Sequence, residues 1–343
     1  MKKTLALALA LIMVVATFAS CSSSSYVPLP DNLDKYITLG QYKEIEVSQE
    51  EMDSDYEEKV QALIDDATEQ VDIDRAIIAG DSVTATLTCQ ITNDDGEYED
   101  YTGTELKKGD ITFDAGDEEY FGVDGMDEIF IGKEVSEDAF DFNYTFGDDA
   151  SDALAGRTAK WTITITAAQE DVVPEWTDEF VAENTDYETI EEYKTETYES
   201  LKESAVWDAI VEGATVLEYP EKNVKSYYDS SVSYYESYAS YLGVTLDYFC
   251  TYYYGTTTET LLASIISSAK SQVKQQLVYA AIAEAEGITV TDEEYENRID
   301  ELVESYGSDD RETFEKNYDK EAINFAILSD IVIDFVVDSA IVK

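Results

Sequence analysis

Cysteine, tyrosine and carboxylate are the reactive side chains this sequence offers; histidine is absent from all 343 residues. Its absence removes Ser-His-Asp and Cys-His nucleophilic machinery and histidine-ligated metals. Of the three cysteines, Cys21 follows Phe18-Ala19-Ser20, Cys89 lies in an alternating stretch and Cys250 in an aromatic one. A bridge between Cys89 and Cys250 would have to join two different domains, so two separate buried thiols are expected. With 76 acidic against 22 basic side chains the net charge is −54. Such a surface repels phosphate backbones and argues against nucleic acid as a partner. The segment Asn93-Asp94-Asp95-Gly96 lacks the alternating acids and closing Glu of a calcium loop and reads as a hairpin turn. No metal and no cofactor is expected.

Cys21 is the exception among the thiols because of what precedes it. Lys2 and Lys3 form a positive start, Leu5 to Val15 an apolar run too short to span a bilayer, and Phe18-Ala19-Ser20 a small-residue approach. This arrangement resembles a bacterial lipoprotein signal over residues 1–20. It implies a Cys21 that carries diacyl and palmitate-type chains and becomes the new N-terminus. Lipid chains of this kind anchor without a spanning helix. The expectation is a protein lipid-anchored to the bacterial cell membrane, outside the cytoplasm. Residues 21–33, rich in Ser and Pro, read as a flexible tether.

The remaining chain alternates between two periodicities. Tyr36-Ile37-Thr38-Leu39 and Glu44-Ile45-Glu46-Val47 read as short extended pieces. Ser48 and Glu51 cap a helix with Tyr56, Val60, Leu63 and Ile64 on one face. From Val83 to Ile91 odd positions are apolar, the signature of a half-buried strand. Further strands are predicted at Ile111–Phe113, Phe140–Tyr144 and Lys160–Thr166, with a helix entered at Gly125 and left at Gly132. Residues 76–170 therefore read as an α+β domain. Beyond Pro174 the period is helical. The first stripe runs Ile190, Tyr193, Thr197, Leu201, Ala205, Ile210, Leu217; others follow over Val224–Leu242 and Leu262–Ala281. Thr291 and Glu294 form a capping box, and Ala322–Val342 is a final helix with Asp330, Asp334 and Asp338 as one wet edge.

Three stretches in this order resemble the trigger factor family. The first is Tyr42-Lys43-Glu44-Ile45-Glu46-Val47 running into Gly80-Asp81-Ser82-Val83-Thr84. The second comprises Phe113-Asp114-Ala115-Gly116, Gly125-Met126-Asp127-Glu128-Ile129-Phe130-Ile131-Gly132 and Leu154-Ala155-Gly156-Arg157-Thr158-Ala159-Lys160-Trp161. The third is Leu277-Val278-Tyr279-Ala280-Ala281-Ile282-Ala283-Glu284-Ala285-Glu286-Gly287 with Ile288 to Glu294. The resemblance implies an α+β chain: an FKBP-like antiparallel sheet with one short helix, plus an all-α trigger-factor/SurA-like chaperone domain. Its parts would be residues 34–75, a linker strand and helix packing with the C-terminal domain; 76–170, the prolyl isomerase domain; and 171–343, the helical chaperone domain. The basic ribosome-docking region of the family has no counterpart here, where signal and tether stand, so no ribosome contact is expected.

Rotation about an X-Pro bond faces a barrier of about 18–20 kcal/mol, and a dry apolar pocket that disfavours the planar charge-separated amide lowers it without nucleophile or metal. The resemblance places Tyr98, Val123, Met126 and Trp161 in catalytic positions and Leu87, Ile111 and Phe113 on the substrate-binding wall. Met126 replaces the usual floor aromatic, Leu87 stands where an aromatic is expected, and the loop 147–152 lacks the tyrosine that donates to the substrate carbonyl. A weakened prolyl isomerase is the implied enzyme. Eleven of 26 tyrosines lie between Tyr219 and Tyr254. About half suit a bundle interior, while the doublets holding Tyr228 and Tyr235 and the triplet Tyr252-Tyr253-Tyr254 cannot all point inward. Tyr228 and Tyr235 are candidate contacts for unfolded or newly exported polypeptides, including X-Pro segments. Two alternatives stay open: a non-catalytic holdase, and a surface lipoprotein with one fixed partner.

Overall fold

The computed structural model describes residues 26–136, 138–308 and 310–343. The stretch expected to be a signal, and Cys21, lie outside these. In chain order the strands are β1 (Ile37–Thr38), β2 (Glu46–Val47), β3 (Glu69–Asp72), β4 (Ser82–Thr92), β5 (Tyr98–Asp100), β6 (Gly109–Asp114), β7 (Phe140–Thr145), β8 (Thr158–Val172), β9 (Thr215–Val216) and β10 (Ile341–Val342). The α-helices are α1 (Gln49–Asp66), α2 (Glu118–Phe121), α3 (Asp178–Asn184), α4 (Ile190–Gly213), α5 (Glu221–Tyr241), α6 (Leu246–Tyr253), α7 (Thr258–Glu286), α8 (Asp292–Ser305), α9 (Arg311–Asn317) and α10 (Lys320–Asp338). The chain forms two compact units, Val60–Asp186 and a second built from residues up to Lys59 with Tyr187–Lys343.

Strands β4 and β8 form the centre of the sheet unit. On its free edge β4 takes β6 and then β5; β8 takes β7 and then β3, and every pairing is antiparallel. The alternation read over 83–91 is present: Val83, Ala85, Leu87, Cys89 and Ile91 are buried and the residues between them are not. On β8 the buried set is Ala159, Trp161, Ile163 and Ile165, then Ala168. The register slips between Thr84 and Ala85 of β4, so β8 carries an extra residue there and its inward phase moves by one. Strand β3 has no alternating apolar pattern; all four of its residues are exposed, which hides it from a reading by period. It extends the sheet unit before residue 76, and β8 runs well beyond Thr166.

The helix expected between Gly125 and Gly132 is a correction. What forms is a turn and one 3-10 turn over Glu128–Phe130. Gly125 and Gly132 both hold positive φ, 72° and 83°, and the six residues between them are too few for a stable α-helix. Bonds of the i to i−3 kind replace it, from Met126 N to Val123 O and from Ile131 N to Glu128 O. Helix α2, capped by the Asp117 side chain, packs Tyr120 and Phe121 against this face. At the entrance to β4, buried Asp81 accepts from both Arg75 guanidinium nitrogens at 2.6 and 2.9 Å and from Ile78 N. Arg75 beside it holds the Asp81 carboxyl below the usual carboxylate range, and also reaches Glu170 on β8.

In the helical unit the core is shared by α4, α7, α8, α9 and α10, with Trp207 stacked on Tyr279 at 3.9 Å. The N-terminal segment is part of this core: Leu33, Ile37, Ile45, Val47 and Met52 belong to it. Two small ladders fasten it. β1 pairs antiparallel with β9, and β2 pairs parallel with β10. Gly40 allows this, since a Cβ there would lie 2.6 Å from Gly213 O. The body is thus discontinuous in sequence.

Four expectations change in this unit. The tether is shorter than 21–33: Tyr26 N donates to Asp319 at 2.9 Å, its ring lies 6.0 Å from Phe325, and buried Asn223 donates to Val27 O at 2.8 Å. Helix α4 ends at Gly213, leaving Leu217 exposed beyond it. The final helix ends at Asp338, because the next residues are drawn into β10 by bonds from Ile341 N to Ile45 O and from Lys343 N to Val47 O. Within that helix Asp330 is buried, so the wet edge does not include it. The capping box at Thr291 is formed in both directions, and Gly287 ends α7 in the left-handed conformation. Among the described residues no helix is long and apolar enough to cross a membrane.

Candidate functional site

Pairing decides which side chains meet on the sheet's inward face. Cys89 is opposite Trp161, Trp161 is opposite Phe142, Leu87 is opposite Ile163, and Phe113 and Ile111 are opposite Val83 and Ala85. Directly paired residues share a face. Five of the expected site residues therefore converge with their neighbours in one apolar cluster: Leu87, Phe113, Val123, Met126 and Trp161, with Ile111 half-buried at its margin. Phe113 is the hub of its aromatic part, 4.6 Å from Phe130, 4.8 Å from Phe121 and stacked on Tyr120 at 5.3 Å.

Tyr98 does not join them. It pairs with Thr92 and so shares the outward phase of Gln90 and Thr92, opposite to that of Trp161. It is 46% exposed. The two-residue reach of a hairpin is unforgiving here: a shift of one residue in the turn moves every side chain to the other face. Tyr101, three residues on and just past the end of β5, is the tyrosine that packs against the cluster. Its N–H donates to Cys89 O at 2.9 Å. An odd spacing on an edge strand allows only one of the two tyrosines to face inward, and that spacing was the available signal.

The segment from Tyr101 to Lys108 lies as a strap against this face. Leu106 is buried in the cluster, and the next carbonyl, Lys107 O, accepts from Trp161 Nε1 at 3.0 Å. Lys108 Nζ donates to Tyr101 O and Gly103 O at 2.7 and 2.8 Å. Lys107 Nζ stands 4.5 Å above the Tyr120 ring, and Ser151 donates to Glu105 at 2.9 Å, tying the strap to the 147–152 loop. The result is a dry aromatic chamber filled by its own side chains, with Leu87, Leu106, Phe113, Met126, Phe130 and Trp161 all 0–5% exposed. Burial pushes the Cys89 thiol there up to about 11, which leaves it neutral at pH 7.

The second candidate region is the tyrosine-rich hairpin of the helical unit. Tyr227 is buried, its hydroxyl accepting from Gln276 at 2.6 Å. Tyr228 is half-buried in a groove of about 420 Å³ with Tyr219, Val224, Lys225, Ile266 and Lys270. Tyr235 is half-buried further along α5. The interior role expected for about half of the eleven tyrosines is a correction, since seven are exposed: Tyr234, Tyr238, Tyr241, Tyr248, Tyr252, Tyr253 and Tyr254. The end of this hairpin has its own small set of buried residues, Ala239, Phe249 and Cys250, outside the main core. With so little interior to fill, most rings there stay outside. Helix α6, which arranges half of them, carries no long period and was not anticipated.

Residues 183–341 match the family model described as the bacterial trigger factor protein C-terminus. Trigger factor of Thermoanaerobacter pseudethanolicus is 30% identical over 324 residues, 88% of this chain and 71% of that protein. Trigger factor of Acetivibrio thermocellus is 28% identical over 323 residues, covering 89% and 72%. A solved chain described as "Promiscuous Substrate Recognition in Folding and Assembly Activities of the Trigger Factor Chaperone" aligns with 89% of this chain and 73% of its own, at 16% identity and a TM-score of 0.33. That score is too low to bear on the fold, but the sequence relatives suffice: the chain belongs to the trigger factor family.

Proposed function

We propose that this protein is a membrane-anchored extracytoplasmic folding factor whose helical unit holds unfolded polypeptide. One observation carries the client-binding reading: the run of exposed tyrosines on α5 and α6, from Tyr234 to Tyr254. Monomeric proteins rarely expose so much contiguous aromatic surface without a partner for it. Rigid rings with a wettable hydroxyl suit variable, weakly structured partners. Family membership supports the same reading.

The sheet unit is proposed as an FKBP-type prolyl isomerase of low activity. Support comes from the convergence of Leu87, Phe113, Val123, Met126 and Trp161 on one dry face. A second reading, a non-catalytic arm, is favoured by the strap, since Trp161 is 1% exposed and a proline ring would have to displace Leu106 to reach it. A refolding assay separates them. An uncatalysed X-Pro step takes about tens of seconds. Full-length protein at catalytic concentrations is expected to shorten the proline-limited phase of a test substrate. An unchanged slow phase together with suppressed aggregation would leave the holdase alone standing.

Anchoring is proposed through Cys21, supported by Lys2, Lys3, the Leu5–Val15 run and the small residues before the cysteine. Tyr26, five residues after Cys21, is docked on the helical unit. Cys21→Ala is expected to move the protein from the membrane fraction to the soluble one, read by fractionation. Persistence in the membrane would rule out lipid anchoring at this residue.

A further inference from the structure

Between Lys225 and Lys270 the sequence contains no lysine and no arginine. The same stretch holds ten tyrosines and the acids Asp229, Glu236, Asp247 and Glu259. Seven of these rings form one network with Phe249: Tyr234 lies 5.5 Å from Tyr235 and 6.4 Å from Tyr238, Tyr238 reaches Phe249 at 5.5 Å, Phe249 reaches Tyr253 and Tyr254, and Tyr252 joins Tyr248 to Tyr253. The rest of the chain treats its tyrosines differently. Eight of them outside this stretch carry one of the chain's own cations over the ring at 4.5–5.8 Å, the nearest being Lys270 over Tyr219 at the border of the stretch. Among the described residues no cation stands over the rings from Tyr234 to Tyr254. A set of exposed π faces, in a stretch whose only charged side chains are carboxylates, is complementary to a cation brought from outside.

We propose that this tip is a cation-reading surface that takes unfolded segments by seating their Lys or Arg side chains on the tyrosine faces, with Glu236, Asp247 and Glu259 drawing them in; Asp229, at the edge of the stretch, is already paired with Lys225. The proposal rests on the client-binding reading of the same rings and names what that surface selects. Apolar burial alone would not discriminate between clients by charge. Ring faces do, because the quadrupole attracts an ammonium or guanidinium group and repels a carboxylate. Carboxylates at a distance act mainly on encounter and are screened by salt, whereas ring contact persists. The surface therefore excludes acidic segments, including the chain's own.

The test uses full-length protein and three unstructured fluorescent peptides with identical apolar residues, carrying Lys and Arg, Ser, or Glu at the remaining positions. Binding is expected in that order of affinity, with the cationic peptide keeping its lead at high salt. Replacing Tyr238, Tyr241, Tyr252 and Tyr253 together by Phe keeps the ring faces and is expected to preserve the lead. Replacing them by Leu keeps apolar area and is expected to weaken the cationic peptide about fivefold or more while the Ser peptide changes little. A trimethyl-lysine version of the cationic peptide, unable to donate hydrogen bonds, should bind wild-type protein at least as well as the lysine version. Equal binding of all three peptides, a Leu variant that retains the cationic preference, or loss of binding on trimethylation would overturn cation reading and leave client binding in place. Failure of every peptide to bind would remove both.

Discussion

Trp161→Ala is expected to destabilise the sheet unit by about 3–5 kcal/mol, the range for removing a large buried aromatic side chain. The indole sits near the start of β8, between Cys89 and Phe142 on the neighbouring strands, and is 1% exposed. Its loss opens a cavity on the inward face and leaves the Lys107 carbonyl without the indole donor. Hydrogen exchange of the β4 and β8 amides, followed with rising denaturant, reads the effect where it occurs. Trp161→Phe keeps most of the ring and removes only the N–H, so a loss of about 1 kcal/mol is expected, with faster exchange in the Tyr101–Lys108 strap. Protection in the alanine variant equal to wild type would show that the indole is not core and that the chamber is not closed. The contrast matters for function. A residue this deep is reached by substrate only after the strap moves, so the phenylalanine variant is the one that asks whether strap opening limits isomerisation.

Asp330→Asn is expected to stabilise the helical unit at alkaline pH by several kcal/mol, by about 1–2 kcal/mol near pH 5, and hardly at all below pH 4. Asp330 is 7% exposed on α10, and its Oδ1 has no hydrogen-bond partner. Burial pushes its carboxyl up to about 8; Arg298 pulls it down, while Asp334, Glu203 and Glu301 push it further up. Arg298 is already engaged with Asp334 at 2.6 Å. The unfolded chain holds an ordinary aspartate near 3.8, so the folded state binds this proton more tightly. Stability contributed by the neutral form is complete below the unfolded value, declines as pH rises, and is gone above the folded value of about 8. Asparagine copies the neutral form at every pH. Each unit between the two values corresponds to about 1.4 kcal/mol, which places the alkaline gain on the order of 6 kcal/mol. Denaturation between pH 5 and 9, monitored by fluorescence of Trp207 in the same unit, should give diverging curves for the two proteins. Parallel curves would show that Asp330 does not titrate in this range.

How much of this was legible beforehand varies with the kind of signal. Period-two alternation in β4 and the capping box at Thr291 are local, and both stand as read. The Gly125–Gly132 helix was misjudged because two glycines mark a turn as readily as a helix, and the length between them decides which. Strands β3 and β9 were invisible because their residues are exposed or few, and they form only because a partner strand offers unsatisfied backbone groups. Asp330 followed the same logic in reverse. Four-residue spacing puts it on one helix face with Asp334, but the packing of α4, α7 and α8 decides how deep that face lies at each turn.

The sequence by itself determined the α+β class, the trigger factor kinship, the lack of histidine chemistry and the charge of the whole. These depend on composition and local order, which are complete in one dimension. Only the tertiary structure decided that Tyr98 faces away from Trp161, that Leu106 and the strap fill the chamber, and that seven tyrosines of one hairpin end up in solvent. Register, cover and exposure are set by which surfaces meet, and a side chain's own type does not say what will be packed against it.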